Sequence, residues 1–259
     1  MMKKVLLKCI SFAVVLSLIF SLASCKKEPD PIPYEDYETS TKATTQPVEI
    51  IEVPTGEEEL AHMLNAAVEY VELYCYHYTK NIDCKVSDVS VGSLSSASNA
   101  AEAFRSIFGE KNITLNYDYN ASRDAFSANF PVSGYTTEEM ESISAKQVED
   151  NIVVTAVFPN ETNPKDDAGV LYRLCPDYQN SDDIKKALTD FNSSATSTSI
   201  TASDITLKAT IRAQDSSLEK LEVSYTQRYT LSGVTLVKLE GSTVTGTAKT
   251  TVVYSDMGV

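Results

Sequence analysis

Tryptophan is missing altogether from these 259 residues, and only two histidines, His62 and His77, are present. Two imidazoles fifteen positions apart leave almost no material for a Ser-His-Asp or Cys-His nucleophilic site. Without indole faces, a sugar platform would have to come from the 14 tyrosines and 8 phenylalanines, whose usual place is core or half-buried sheet. No Gly-x-Ser-x-Gly elbow and no glycine-rich phosphate loop occurs. Cations are scarce: 22 Lys and Arg stand against 36 Asp and Glu, for a formal charge of −14. Such a chain is a poor partner for nucleic acid, which rewards clustered Lys and Arg. No nucleic-acid partner and no cofactor are expected. Long apolar runs are lacking too. The uncharged stretch 9–24 falls short of the roughly 20 residues that a membrane-spanning helix needs.

The start of the chain does carry a processing pattern. Met1-Met2-Lys3-Lys4 and Lys8 precede "CISFAVVLSLIFSLAS", which ends in small residues. A basic start, a short apolar core and a small-residue close predict a secretory signal over residues 1–24. Leu22-Ala23-Ser24-Cys25 resembles the lipobox of bacterial lipoproteins. The resemblance implies that the Cys25 sulfur receives a diacylglyceryl group and that the signal is cut just before it. Two acyl chains at roughly 0.8 kcal/mol per buried methylene anchor stably, where one would be marginal. Residues 1–24 hold Lys3, Lys4 and Lys8 and no acid, so the remaining 235 residues carry −17. Anionic headgroups would repel that charge, so the acyl chains must hold the membrane. The expected location is the extracytoplasmic side of a cell membrane. Lys26 and Lys27 follow the cysteine in place of an aspartate. By resemblance to Gram-negative sorting, that argues against inner-membrane retention.

Residues 25–56 read as an acidic tether punctuated by Pro29, Pro31, Pro33, Pro47 and Pro54. Its composition cannot bury enough apolar surface to offset ordering. Behaving as coil, it would span on the order of 30 Å. "VEIIEV" within it is a candidate edge strand. Residues 57–259 are the folded body, read as one domain or as two lobes, 57–175 and 176–259. Cys9 leaves with the signal, and Cys75, Cys84 and Cys175 remain, an odd number. An exported compartment permits one disulfide. Cys75–Cys84 is the first pairing to test, and three buried thiols acting as small apolar residues is the alternative.

The body opens with "TGEEELAHMLNAAVEYVELYCYHYTK", a helix with Thr55 and Glu58 as a capping box. Leu60, Leu64, Ala67, Val71, Tyr74 and Tyr78 form one apolar stripe. Asn99 to Gly109 predicts a second helix with Ala103, Phe104, Ile107 and Phe108 inward. "SDDIKKALTDF" predicts a third with Ile184, Ala187, Leu188 and Phe191 inward. The rest alternates as strand. "NITLNYDYN" and "AFSANF" have period two, and "NIVVTAVF" reads as central because it is apolar on both faces. In the last sixty residues Ile205, Leu207, Ala209 and Ile211 share a face. So do Leu221, Val223, Tyr225, Tyr229 and Leu231, and then Val244, Ala248, Val252 and Tyr254. Thr and Ser fill the other side. Turn signals at Asp215-Ser216-Ser217, Ser232-Gly233 and Glu240-Gly241 divide this region into four strands with one wet face. "VSDVSV" (86–91) and "ASDITL" (202–207) occupy similar places and raise the question of an internal repeat.

The fold class is α+β: a curved antiparallel sheet packed on an amphipathic N-terminal helix and two shorter helices. With the acylated cysteine and the acidic tether, that helix and the Thr-rich meanders resemble the half-barrel fold of the periplasmic lipoprotein carriers. The resemblance implies a concave face that holds acyl chains or another apolar ligand.

Candidate sites are few. Glu58 and His62 are four apart on one helix face, but zinc needs three or four ligands and no third is in view. His77 is expected at a helix end, complementing the dipole. Asp118, Asn120, Ser122 and Asp124 alternate like the start of a calcium loop, although Arg123 replaces the needed glycine, and a hairpin turn explains them equally. Asp166 and Asp167 sit in the long polar loop Asn160–Gly169. Asp182-Asp183 would need to face a second carboxylate across a cleft for glycoside hydrolysis. No catalytic or metal residue is assigned. The function expected is non-catalytic binding of an apolar ligand, a peptide or an envelope partner. An envelope scaffold is the alternative, and an envelope hydrolase stands behind both.

Overall fold

The computed structural model describes residues 53–92, 99–118, 128–164, 169–236 and 239–258. Cys25, most of the tether, Asn120, Ser122, Asp124, Asp166 and Asp167 lie outside the described residues. In chain order the elements are α1 (Glu57–Tyr74), β1 (His77–Val91), α2 (Asn99–Ile107), β2 (Lys111–Asp118), a 3-10 turn (Thr137–Glu139), β3 (Ser142–Val148), β4 (Asn151–Phe158), β5 (Glu161–Thr162), α3 (Val170–Leu174), α4 (Ser181–Asp190), β6 (Ser197–Arg212), β7 (Leu218–Leu236) and β8 (Leu239–Gly258). The strands make one open antiparallel sheet in the order β2-β1-β8-β7-β6-β4-β3, with β5 added on β6. The class is α+β. No boundary near 175 divides the sheet, because β1 is inserted between β2 and β8.

Alternation does the sorting. All thirteen inward residues expected from the three C-terminal strands are buried. They contribute to two apolar clusters. The main one joins Leu60, Leu64, Ala67, Val68 and Val71 of α1 to Ile152, Leu207, Val223, Val252 and Tyr254. The second joins Phe104, Ile107 and Phe108 to Ile184, Leu188, Val86, Leu231 and Val244. Each fully buried Val, Leu, Ile or Phe supplies about 1.5–3 kcal/mol.

Several expectations need correction. The first helix stops at Tyr74 and not near Lys80, and Tyr78 is buried in a strand. A spacing of four satisfies helix and strand alike: Tyr74 and Tyr78 are one turn apart on a helix and on one face of a strand. Aromatic and β-branched residues in "YCYHYT", paired on both sides by β2 and β8, decide for strand. Thr55 and Glu58 do not cap α1. Gly56 is its N-cap and accepts no side-chain cap, leaving Glu57, Glu58 and Glu59 to complement the dipole. Tyr74 and Phe191, placed inward by their spacing, are exposed at 60% and 43%. The described end of "AFSANF", residues 128–130, is a turn, and Phe130 fills the core from there, edge-on to Tyr78 and Tyr254. β4 is an inner strand, one removed from the β3 edge.

The C-terminal region has three long strands where four were expected. Ser232-Gly233 and Glu240-Gly241 are β-bulges within the β7–β8 ladder. Gly233 and Gly241 have φ of +60° and +69°, so the same residue chemistry that marks a turn also marks a bulge. A similar cause underlies the "VSDVSV" and "ASDITL" likeness. In each, a Ser-Asp pair opens a bulge, with φ of +52° at Asp88 and +55° at Asp204. Ser255-Asp256 makes a third, with φ of +53°. In all three the serine hydroxyl bonds to the following aspartate. Aspartate is among the few residues that enter this left-handed region readily, and each bulge adds local bend and twist.

Cys75 and Cys84 are not linked. All three body cysteines are buried and none is in a disulfide. His77 to Cys84 is extended strand spanning about 23 Å at roughly 3.3 Å per residue, and the two residues before it cannot bring Cys75 back to the Cα separation of about 7 Å or less that a disulfide needs.

Candidate functional site

The two apolar clusters do not meet cleanly across the covered face of the sheet. Between them runs a polar seam. Cys84 on β1, Thr250 on β8 and Tyr225 on β7 lie side by side in register, and Gln227 and Tyr229 follow on β7. All five are buried. The segment 175–180, linking α3 to α4, lies over the seam and leaves a cleft of about 500 Å³. That volume falls within the roughly 300–1,000 Å³ of small-molecule sites.

Backbone position follows from the strand ladder, and the roof is held by side-chain bonds. Gln227 Nε2 donates to the Gln179 carbonyl at 2.8 Å, and the Tyr229 hydroxyl donates to Gln227 Oε1 at 2.9 Å. Gln179 Nε2 donates to the Ile107 carbonyl at 2.7 Å, tying the roof to the end of α2. Phe108 stacks on Tyr229 with centroids 4.5 Å apart, forming an aromatic wall. The α4 end is fixed by a capping box. Asn180 Oδ1 accepts from the Asp182 and Asp183 amides at 2.8 and 3.0 Å, and the Asn180 amide donates to Asp183.

One ion pair stands at the edge of the cleft. Lys80 is fully buried, on the covered face of β1 between Tyr78 and Ile82. Its Nζ donates to Asp177 Oδ1 at 2.6 Å and to the Asn129 carbonyl at 3.2 Å, and it lies 5.3 Å from the Tyr254 ring centroid. Burial works to raise the Asp177 carboxyl, but the Lys80 ammonium outweighs it and holds the group below its ordinary value. The Cys175 thiol lies 3.6 Å from Asp177 and 3.8 Å from the Tyr225 hydroxyl. Burial, with the Asp177 charge adding to it, pushes that thiol up to about 12. Burial raises Cys84 as well. Neither sulfur is therefore a thiolate near neutral pH, which is what nucleophilic chemistry would need. The seam offers the carboxylates of Asp177 and of the capping residue Asp183, Lys111 at its rim, amide and hydroxyl groups, and aromatic faces. That set can orient a bound molecule.

The residues singled out by sequence lie elsewhere. Glu58 and His62 are exposed on α1. His77 is in a strand, with Nδ1 2.6 Å from Asp118 Oδ1, and does not complement a helix dipole. Asp182 pairs with Lys185, and Asp183, although it lines the cleft, is used in capping. Among the described residues no group of three His, Cys, Asp or Glu side chains could hold a metal ion. Sequence reasoning missed Lys80, Cys175, Asp177, Gln179 and Gln227. A signal for Lys80 existed: Tyr78, Lys80, Ile82, Cys84 and Val86 alternate, and a lysine in an otherwise apolar row is out of place. No protein-family model, no curated protein and no solved structure matches the chain.

Proposed function

We propose that the protein is a lipid-anchored extracytoplasmic binding protein without catalytic activity. The reading of residues 1–25 as a lipoprotein signal ending in an acylated Cys25 supplies the anchor. The observation that carries the binding role is the cleft between the two apolar clusters. Its floor of Thr250, Tyr225 and Gln227 combines apolar walls with a few fixed polar groups, the usual make-up of a ligand pocket. We read the finer fold as a sheet curved over α1 and the shorter helices, a reading that the three Ser-Asp bulges favour. The ligand is a small molecule or peptide side chain with both apolar and hydrogen-bonding parts, and a purely acyl ligand fits this polar seam poorly. The neighbouring role of an envelope scaffold has its own support in the exposed Tyr70, Leu73, Tyr74 and Tyr76.

Mass spectrometry of the protein released gently from its host membrane tests both halves. The N-terminal peptide should begin at an acylated Cys25, and a Cys25→Ala variant should lose acyl labelling and leave the membrane fraction. A retained small molecule should be lost in a Gln227→Leu variant. An uncleaved, unmodified chain in the cytosol overturns the anchoring. A ligand-free protein whose partners are unaffected by Gln227→Leu overturns the cleft in favour of the scaffold.

A further inference from the structure

The uncovered face of the sheet gathers a cluster of cations at its centre, in a chain whose overall balance is acidic. In register across it, Lys85 on β1 stands directly opposite Lys249 on β8. One row on, Thr247 faces Arg228 on β7. Lys208 and Lys220 extend the cations toward β6 and β7. The in-register acids are few. Asp83 engages Lys85 at 3.0 Å, and Glu222 engages Lys220 at 3.0 Å. Asp88 and Asp204, in the bulges, are held by their own serines. Among the described residues Lys249 and Arg228 have no ion-pair partner, while Lys208 stands directly opposite Glu222, and all three cations are exposed.

Like charges directly opposed on a sheet sit with Cβ atoms about 4.5–5.5 Å apart and destabilise it. In a chain with 36 acids and 22 basic residues, a Lys-Lys pair flanked by an arginine is a local excess that folding does not require. Around it the rows hold hydroxyls: Ser87, Thr226, Thr245, Thr247 and Thr251. Ammonium and guanidinium groups spaced among hydroxyl donors suit the non-bridging oxygens of phosphate diesters. None of the open-face residues of β1, β7 and β8 in these rows is aromatic, so nothing there stacks a nucleobase, the feature on which single-stranded nucleic-acid sites depend.

We propose that this open face, centred on Lys85, Lys249 and Arg228, docks a base-free phosphodiester polymer. Charge complementarity selects a polyanion. The dispersed cations and hydroxyls select phosphate diesters, and the bare, non-aromatic surface selects against nucleotides. The surface is on the opposite side of the sheet from the cleft and acts independently of it. Meeting such a polymer in a cell envelope rests on the extracytoplasmic reading, but binding by the purified protein does not.

The test is fluorescence anisotropy of labelled poly(glycerol phosphate) with the full chain in neutral detergent. Poly-glutamate, a single-stranded DNA oligonucleotide and dextran serve as the other arms. The phosphate polymer should bind at 50 mM salt and weaken about 20-fold by 200 mM, as expected for roughly three neutralised phosphates on a single-stranded polymer. Lys249→Glu with Arg228→Glu should weaken it at least tenfold, while Lys186→Glu on α4 leaves it unchanged. Should the double reversal fail to fold, Lys249→Gln with Arg228→Gln should still lose most of the binding. No binding at 50 mM salt, or equal binding by the folded double variant, overturns the proposal. Tighter binding of poly-glutamate or DNA overturns the phosphodiester assignment and gives the face to a carboxylate polymer or a nucleic acid.

Discussion

The strands β1, β8 and β7 present Tyr78, Ile82, Val252, Val223 and Leu221 to one side and Asn81, Asp83, Lys249, Thr251 and Arg228 to the other. Neighbouring residues of one backbone thus meet two solvents. On the open side a charge is inexpensive, because water keeps its hydration and screens its neighbours. On the covered side the one charge among the described residues of these strands, Lys80, lies in the low-dielectric interior and is paired with the Asp177 carboxylate. The lesson is that identical side-chain chemistry has a different weight on each face. The most informative substitutions are those that exchange the two settings.

The largest contrast should come from apolar deletion. Phe104→Ala, in the second cluster, should lower stability in urea titration by about 3–5 kcal/mol. Thr247→Val on the open face should stay within about 0.5 kcal/mol. A comparable loss from both would mean that the open face is covered in solution. Next is the ion pair. Asp177→Ala strands a buried ammonium and should cost about 2–3 kcal/mol, at or below the low end for buried pairs because the Asp177 side chain is 36% exposed. Lys80→Met should cost less than about 1 kcal/mol, since it removes the charge and keeps the volume. Equal losses would remove the distinction between stranding a charge and deleting one.

Gly246→Ala should cost about 1–3 kcal/mol, because its Cβ would fall on the Phe108 ring, and a Phe108→Leu background should relieve it. A smaller effect is set by pH. Asp177 is held below its ordinary 3.8, so its contribution is fully present above pH 3.8 and is lost as pH falls through the lower folded value. The difference between wild type and Lys80→Met should therefore narrow on acidification below pH 4. Cys175 has the opposite sign. Its thiol is raised from 9.0 to about 12, so that contribution is complete below pH 9 and fades as pH rises toward 12. Native alkylation of Cys175 at pH 8 should accordingly be far slower than in urea. The smallest expected change is a gain: Lys249→Glu, opposite Lys85, should raise stability by a few tenths of a kcal/mol.

The inward face of the C-terminal strands was legible because hydrophobic alternation over fifteen or more residues admits one answer, but their number was not, because a glycine bulge and a turn use the same residues. α4 was legible from its own residues, and the α1 stripe from Leu60 to Val71 likewise. The seam was not. Gln179 and Gln227 are 48 residues apart and become a site only where a link between two helices crosses a strand. Lys80 was hidden by the assignment of residues 75–80 to a helix, an error that a four-residue spacing invites.

Local pattern alone determined which residues avoid water, since burial alternates with the backbone period whatever the partner strand is. It determined the strongly acidic balance of the chain as well. Tertiary structure decided where α1 ends, which glycines bend a strand without reversing it, and which strands are neighbours. Those choices depend on hydrogen bonds between residues far apart in the chain. For the same reason, only the assembled sheet brought Lys85 beside Lys249 and set Lys80 against Asp177.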